Sequence, residues 1–474
     1  MKKFIAFLVM CIFCGYFFPA DARAESPLNK QRYSILFEDH AVPRSFEEQV
    51  KRAGGEVIYT VSEIGFAQVE APSEVFGKLK GLPGISAANP AIAWSLPETL
   101  QIKGNSGYPE NAPLWDLQWD IQRITKNGES YQLGTGSHDV VVGIIDSGID
   151  RDHPDLAKNL LPGSKNFVPA GGYAGTEPQE KGDPEAFDDL TGHGSHVAGA
   201  IAANGDMLGV APDVGIRSYR VFGQSGAESA WIFDAVVTAA NDGVDVISMS
   251  LSGYNIKGQI FYTNPETGKK EKLGSHIADY KAYQRAVKYA VKKGALVVAA
   301  AGNEGLNATN KKEVLEYVNS QLSPYGLHAV GAGFQVPGTI PGVVVVAATG
   351  PKDVLASYSN YGPGFVDIAA VGGDGRLYLQ YMLEGRLEDY MEKRLYEKEY
   401  NLSTSHNGDH YWHVGTSMAT PKVAAAAALL IDQYGKMTPS ELEKLLYQKA
   451  VDPVKGLEKK SFGNGHLNVY QALQ

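Results

Sequence analysis

From Val140 onward the chain alternates apolar runs with helical patterns, through Val140 to Ile145, Val197 to Ala203, Val244 to Ser250, Ala282 to Lys293, Ala295 to Ala301 and Val343 to Ala348. A strand that is apolar along its whole length must be covered on both faces, so the alternation predicts a parallel α/β sheet with helices on either side. Open sheets of this kind build their sites at the carboxyl ends of the strands. With 474 residues the chain exceeds one ordinary core and should divide into two or three units. A hydrophobic fraction of 44% against 20% charged residues suits folded units rather than a disordered chain.

The segments ahead of this sheet read differently. Residues 1–24 carry Lys2 and Lys3, the apolar run Phe4 to Phe18, then Ala22 and Ala24, the pattern of a cleaved secretory signal peptide, with an uncleaved membrane anchor as the alternative. Both cysteines, Cys11 and Cys14, lie inside it, so an exported protein would hold neither disulfides nor a cysteine metal site. Residues 25–94 predict a small ferredoxin-like domain. The strand Tyr33 to Phe37, a helix from Ser45 to Ala53 stopped by Gly54-Gly55, strands Val57 to Val61 and Phe66 to Val69, a helix Pro72 to Gly81 and a strand Ile85 to Asn89 follow the order βαββαβ. So small a unit is marginal alone and is expected to need a partner surface. Residues 95–114, with Pro97, Pro109, Pro113 and Gly104-Asn105-Ser106-Gly107, predict a linker open to proteolysis, and 115–474 form the large domain. The net charge of −10 disfavours nucleic acid and anionic lipid as partners.

Four segments of the large domain carry chemistry-bearing residues. The strand Val142 to Ile145 runs into Asp146-Ser147-Gly148; taken alone, such an aspartate is most often a turn former or cap. Thr191-Gly192-His193-Gly194-Ser195-His196-Val197-Ala198-Gly199 opens a helix of small residues with two histidines, for which zinc binding is the competing reading, although no Glu or Cys completes a ligand set. Gly415-Thr416-Ser417-Met418-Ala419-Thr420-Pro421 puts a serine at a helix start, either as a cap or where the helix potential favours a developing negative charge. The strand Ala295 to Ala301 ends in Gly302-Asn303-Glu304-Gly305, a turn or an amide donor. Four such segments ending on one rim favour the joint catalytic reading.

Together, in the order Asp, His, Ser, these motifs resemble those of the subtilisin-like serine proteases over nearly the whole exported chain. The resemblance implies a serine endopeptidase working through an acyl-enzyme, with Ser417 as nucleophile, His193 as general base, Asp146 orienting it, and Asn303 with the Ser417 N–H as oxyanion hole. It implies that Ser250, Leu251, Ser252 and Gly253, with Ala300, Ala301 and Gly302, wall the substrate site. It makes residues 25–94 an inhibitory propeptide, His196 and His153 structural, and the exported enzyme a monomer that acts on peptide or protein substrates and stays off membranes once its signal is removed. No cofactor is required for the chemistry.

The departures from the family pattern are specific. Asn204 to Leu208 is shorter than the loop that wraps calcium in the subtilisins, leaving at most a weak site with Asp155 as a ligand. Residues 254–281 and 372–412 read as insertions; in the second, Leu383, Leu387, Met391 and Leu395 at helical spacing predict a solvated surface helix. Glu304 is expected at the mouth of the S1 pocket as an exposed, screened carboxylate. Lys422 stands where the family usually has histidine. With Trp119-Asp120-Ile121-Gln122-Arg123-Ile124 it is similar to the branch that removes leader peptides from lantibiotic precursors. A broad degradative protease would share every catalytic residue, whereas a silent binding relative should have lost at least one, and none is lost.

Overall fold

The computed structural model describes residues 31–96, 102–103, 114–265 and 267–474. The signal segment and most of the expected linker lie outside the described residues.

The central sheet has nine strands, in the order Val451–Pro453, Gly465–Leu467, Ile368–Val371, Val343–Thr349, Leu296–Ala300, Val246–Met249, Val141–Asp146, Gly215–Arg220 and Lys165–Asn166. All neighbours are parallel except the first pair, which is antiparallel. Every residue of Val141–Asp146, Val246–Met249, Leu296–Ala300 and Val343–Thr349 is buried, as strands covered on both faces require. One cover is the helix Thr416–Tyr434, buried continuously from Thr416 to Ile431. Its alanines let it lie close to the sheet and to the helix His193–Ala202. The opposite face is covered by Ser229–Asn241 and Ile277–Lys293, through Trp231, Phe233, Ala282 and Ala286.

Residues 31–90 form a four-stranded antiparallel sheet, Glu56–Val61, Phe66–Ala71, Gln31–Phe37 and Ile85–Pro90 side by side, with the helices Phe46–Ala53 and Phe76–Lys80. Gly54 ends the first helix in the left-handed region (φ +99°), where an L side chain would be strained. Tyr33, Ile35, Phe37, Phe46, Val50 and Leu79 make this unit's own core. Its other face is apolar too: Leu36, Ile64, Phe66 and Ala87 join the core of the large domain, Phe66 meeting Phe233 edge-on with ring centroids 5.2 Å apart. Polar contacts surround that patch. Tyr59 donates to Asp234, Ser34 to Asp279, and Arg285 to the carbonyls of Phe37 and Ile64.

The two expected insertions take definite shapes. Gly253–Thr263 pairs with Lys270–Gly274 and Leu327–Val336 in a separate antiparallel sheet. Residues 372–412 do not form one surface helix. Gly385, at φ +69°, separates Arg376–Leu383 from Leu387–Glu392, and a hairpin of Asn401–Thr404 with His410–His413 follows. Leu383 and Met391 are exposed as expected, while Tyr390 and Tyr396 are buried and pack towards Trp412. Among the described residues no helix is long and apolar enough to cross a membrane.

Candidate active site

Asp146 ends its strand at the carboxyl edge of the sheet, and His193 opens the neighbouring helix; both are about 98–99% buried. The Nδ1 of His193 lies 2.7 Å from Asp146 Oδ1, which also accepts the N–H of Ser147 at 2.8 Å. The helix comes this close because residue 194 is glycine: a Cβ there would stand 2.1 Å from the carbonyl oxygen of Gly148. Burial alone would lower the His193 pKa, but the carboxylates of Asp146 and Asp189 outweigh it and raise the value above the ordinary 6.5. An imidazole bonded through Nδ1 to a carboxylate presents Nε2 as a base. That Nε2 is buried and has no hydrogen-bond partner among the described residues.

Ser417 sits in the first turn of its helix and is 1% exposed. Its hydroxyl donates to the carbonyl of Ser250 at 3.1 Å, while Ser250 Oγ donates back to Ser417 O at 2.8 Å. The hydroxyl is therefore turned to Ser250 rather than to His193, and rotation about the Cα–Cβ bond is the movement that would hand it to the imidazole; catalytic hydrogen bonds often tighten only once substrate is bound. Asn303 is fixed by its oxygen, which accepts from Thr416 N at 2.9 Å and Thr416 Oγ1 at 2.8 Å. This orientation leaves the amide nitrogen with no hydrogen-bond partner among the described residues, and so free to donate to a negative oxygen.

Ser250 and Leu251, and Ala300 and Ala301, are buried at the strand ends, with Ser252, Gly253 and Gly302 beside them. A Cβ on Gly302 would collide with Asn360 Nδ2, Glu304 Oε2 and, less tightly, Ser252 Oγ, so these groups line one cup. Glu304 is not an exposed carboxylate there. Its Oε2 accepts from Tyr254 Oη at 2.5 Å and Asn360 Nδ2 at 2.6 Å, and burial raises its pKa against the pull of those bonds. Facing Gly253 is the ring of Trp94, which a Cβ at 253 would meet at 2.8 Å. The Ala93–Trp94 segment pairs antiparallel with Ala227–Glu228, and Trp94 Nε1 donates to Ser229 Oγ at 2.9 Å. The last strand of the small domain thus lies beside Gly253, one of the residues expected to wall the substrate site.

Two features lay beyond the sequence reading. The strand Ala227–Glu228, which pairs with Ala93–Trp94, is one. Asp189 is the other: Oδ1 accepts from Thr191 N, Gly192 N and Ser147 Oγ, and Oδ2 from Ser195 N and Ser195 Oγ, all at 2.8–2.9 Å. It organises the start of the His193 helix, and its place three residues before Gly192 was the available signal.

Asp155 does not fit a calcium ligand. Its carboxylate, 2% exposed, is ringed by donors: His410 Nε2 at 2.9 Å, Asp206 N at 2.8 Å and Met207 N at 3.3 Å. Calcium requires about 6–8 oxygen ligands, and these nitrogens occupy the directions a cation would need. Gln118 fixes the same loop by donating to Leu208 O and accepting from Leu208 N. His196, held near a pKa of about 3 by burial, donates Nε2–H to Asn401 O and Tyr411 O at 3.2 and 3.1 Å.

The subtilase family model matches residues 137–465. The chain belongs to the subtilase family. It is 33% identical to the epidermin leader peptide-processing serine protease of Staphylococcus epidermidis, over 100% of both chains. With the nisin leader peptide-processing serine protease of Lactococcus lactis subsp. lactis it shares 35% identity over 73% of this chain and 48% of that one. The crystal structure of the epidermin leader peptide-processing serine protease from Staphylococcus aureus superposes with a TM-score of 0.80 at 32% identity, over 94% of this chain and 98% of that one. For the nisin leader peptidase structure from Lactococcus lactis the TM-score is 0.67 at 34% identity, over 77% and 95%. This subtilase is accordingly a serine endopeptidase.

Proposed function

We propose that this subtilase is secreted as a zymogen and removes leader peptides from lantibiotic precursors. Ser417 Oγ attacks the scissile carbonyl while His193 Nε2 takes its proton, and the resulting imidazolium is steadied by Asp146. The oxyanion is held by the Asn303 amide and the Ser417 N–H at the helix start. His193 then protonates the leaving amine, and water, deprotonated by the same imidazole, hydrolyses the acyl-enzyme and frees Ser417. Residues 25–94 act as the inhibitor, because their last strand, Ala93–Trp94, pairs with Ala227–Glu228 and packs against Gly253.

The observation that carries the leader-peptidase reading is the full-length match, small domain included, to a protease named for that reaction. The test is to digest a leader-bearing lantibiotic precursor and an unfolded unrelated protein side by side with the processed enzyme. One cut at the leader junction, with the unrelated protein left largely whole, is expected. Equal digestion of both would favour the degradative alternative.

A further inference from the structure

The reacting side chains ride on different helices, and a misplacement of about 1 Å between them would cost on the order of 100-fold in rate. One strand of the 372–412 segment touches both helices. Thr404 Oγ1 donates to Ser195 O at 2.7 Å and Ser403 Oγ to His196 O at 2.8 Å, gripping the first turn of the His193 helix. The approach depends on Gly199, where a Cβ would stand 2.2 Å from Thr404 Oγ1. His196 returns a hydrogen bond to the main-chain oxygen of Asn401.

The same Asn401 reaches the serine helix. Its Oδ1 accepts from Lys422 Nζ at 2.9 Å, and Lys422 follows Ser417 by little more than one turn. Lys422 also donates to Val371 O at 2.7 Å and pairs with Asp120 at 2.5 Å. Lys422, Asp120 and Asn401 are 0, 2 and 2% exposed. A buried ammonium persists only where it is paired and hydrogen-bonded, so this cluster is fixed from three directions.

We propose that Asn401 is a positioning residue: its main-chain oxygen holds the His193 helix, its amide oxygen holds the Ser417 helix through Lys422, and the spacing of the two catalytic groups is set between them. Asn401 then serves the chemistry from behind the two catalytic helices.

The test compares Asn401→Leu, which removes the acceptor at similar volume, with Asn401→Asp, which keeps it. Each enzyme is prepared from the full chain, its sites are titrated with a serine-directed fluorophosphonate, and kcat and KM are measured on any peptide the wild type cleaves. Labelling needs no particular peptide, so the outcome is independent of the leader-peptidase reading. Asn401→Leu should lower kcat per titrated site and the labelling rate by about 10- to 100-fold with KM changed less than about twofold, and Asn401→Asp should restore most of the loss. Wild-type labelling by Asn401→Leu, or a lower melting temperature with unchanged kcat per site, would overturn the assignment. If Asn401→Leu does not fold, Asn401→Ser, whose shorter side chain withdraws the acceptor from Lys422, decides: a several-fold fall in kcat at constant KM supports the proposal, and an unchanged kcat overturns it.

Discussion

At His193 burial and charge act in opposite directions, and the Asp146 and Asp189 carboxylates prevail. The base must be neutral to accept a proton, so a raised pKa moves the acid limb of kcat/KM upward, and activity should rise through a midpoint above 6.5. A pH–rate profile on a peptide substrate checks this, and Asp189→Asn should move the midpoint down. Asn303→Ala should lower kcat by roughly 100- to 1000-fold with a smaller change in KM, the loss typical of one oxyanion donor. An unaltered kcat would remove Asn303 from the site. Asp146, His193 and Asn303 were legible because each lies in a run whose neighbours are constrained by the same local geometry, such as the glycine that must pass under Gly148 O. The hydrogen bonds around Asp155 were not legible, for the opposite reason. Its partner His410 is 255 residues away in sequence, and no local pattern announces it.

Between secondary-structure elements, the Asp155 carboxylate ties the strand of His410 to the loop of Asp206 and Met207 through protein hydrogen bonds. EDTA should therefore leave the melting temperature and the initial rate unmoved, whereas Asp155→Ala should destabilise by about 1–3 kcal/mol for each N–H left unsatisfied. Thermal melts with and without chelator decide it. Burial alone would raise the Asp155 pKa, but the His410 bond and the N–H of Asp206 bring it below the ordinary 3.8. Its contribution is thus present above that value and is lost as pH falls through the lowered one. Element by element, the apolar strands were readable, while Gly215–Arg220 was not: Arg217, Ser218 and Arg220 interrupt its pattern, and only the structure shows Arg220 buried against Glu180. The helix expected from the leucine spacing near 390 failed because Gly385 breaks it and tyrosines, not leucines, supply its buried face.

In the whole molecule, the small domain covers carboxylates of the large one. Burial raises Asp279 to about 6, against hydrogen bonds from Asn89 and Ser34, and raises Glu228 and Asp234 as well. Docking buries Asp279 and holds its carboxyl near 6, so the docked state keeps protons that the separated one gives up, and docking should weaken as pH rises through about 6. Gel filtration of processed enzyme should retain residues 25–94 at pH 5 and shed more of them at pH 8; equal retention would show that these carboxylates do not govern release. The order βαββαβ and the parallel sheet could be read from periodicity alone, but the way the units dock could not, since it rests on a second apolar face that looks like ordinary strand alternation.

The most direct test of the central claim is to locate a fluorophosphonate adduct by mass spectrometry after labelling the wild type, Ser417→Ala and His193→Ala. A single adduct on Ser417, abolished in Ser417→Ala and formed far more slowly in His193→Ala, with peptide cleavage lost in parallel, is the predicted result. An adduct on another residue, or cleavage that persists in pure Ser417→Ala enzyme, would contradict it.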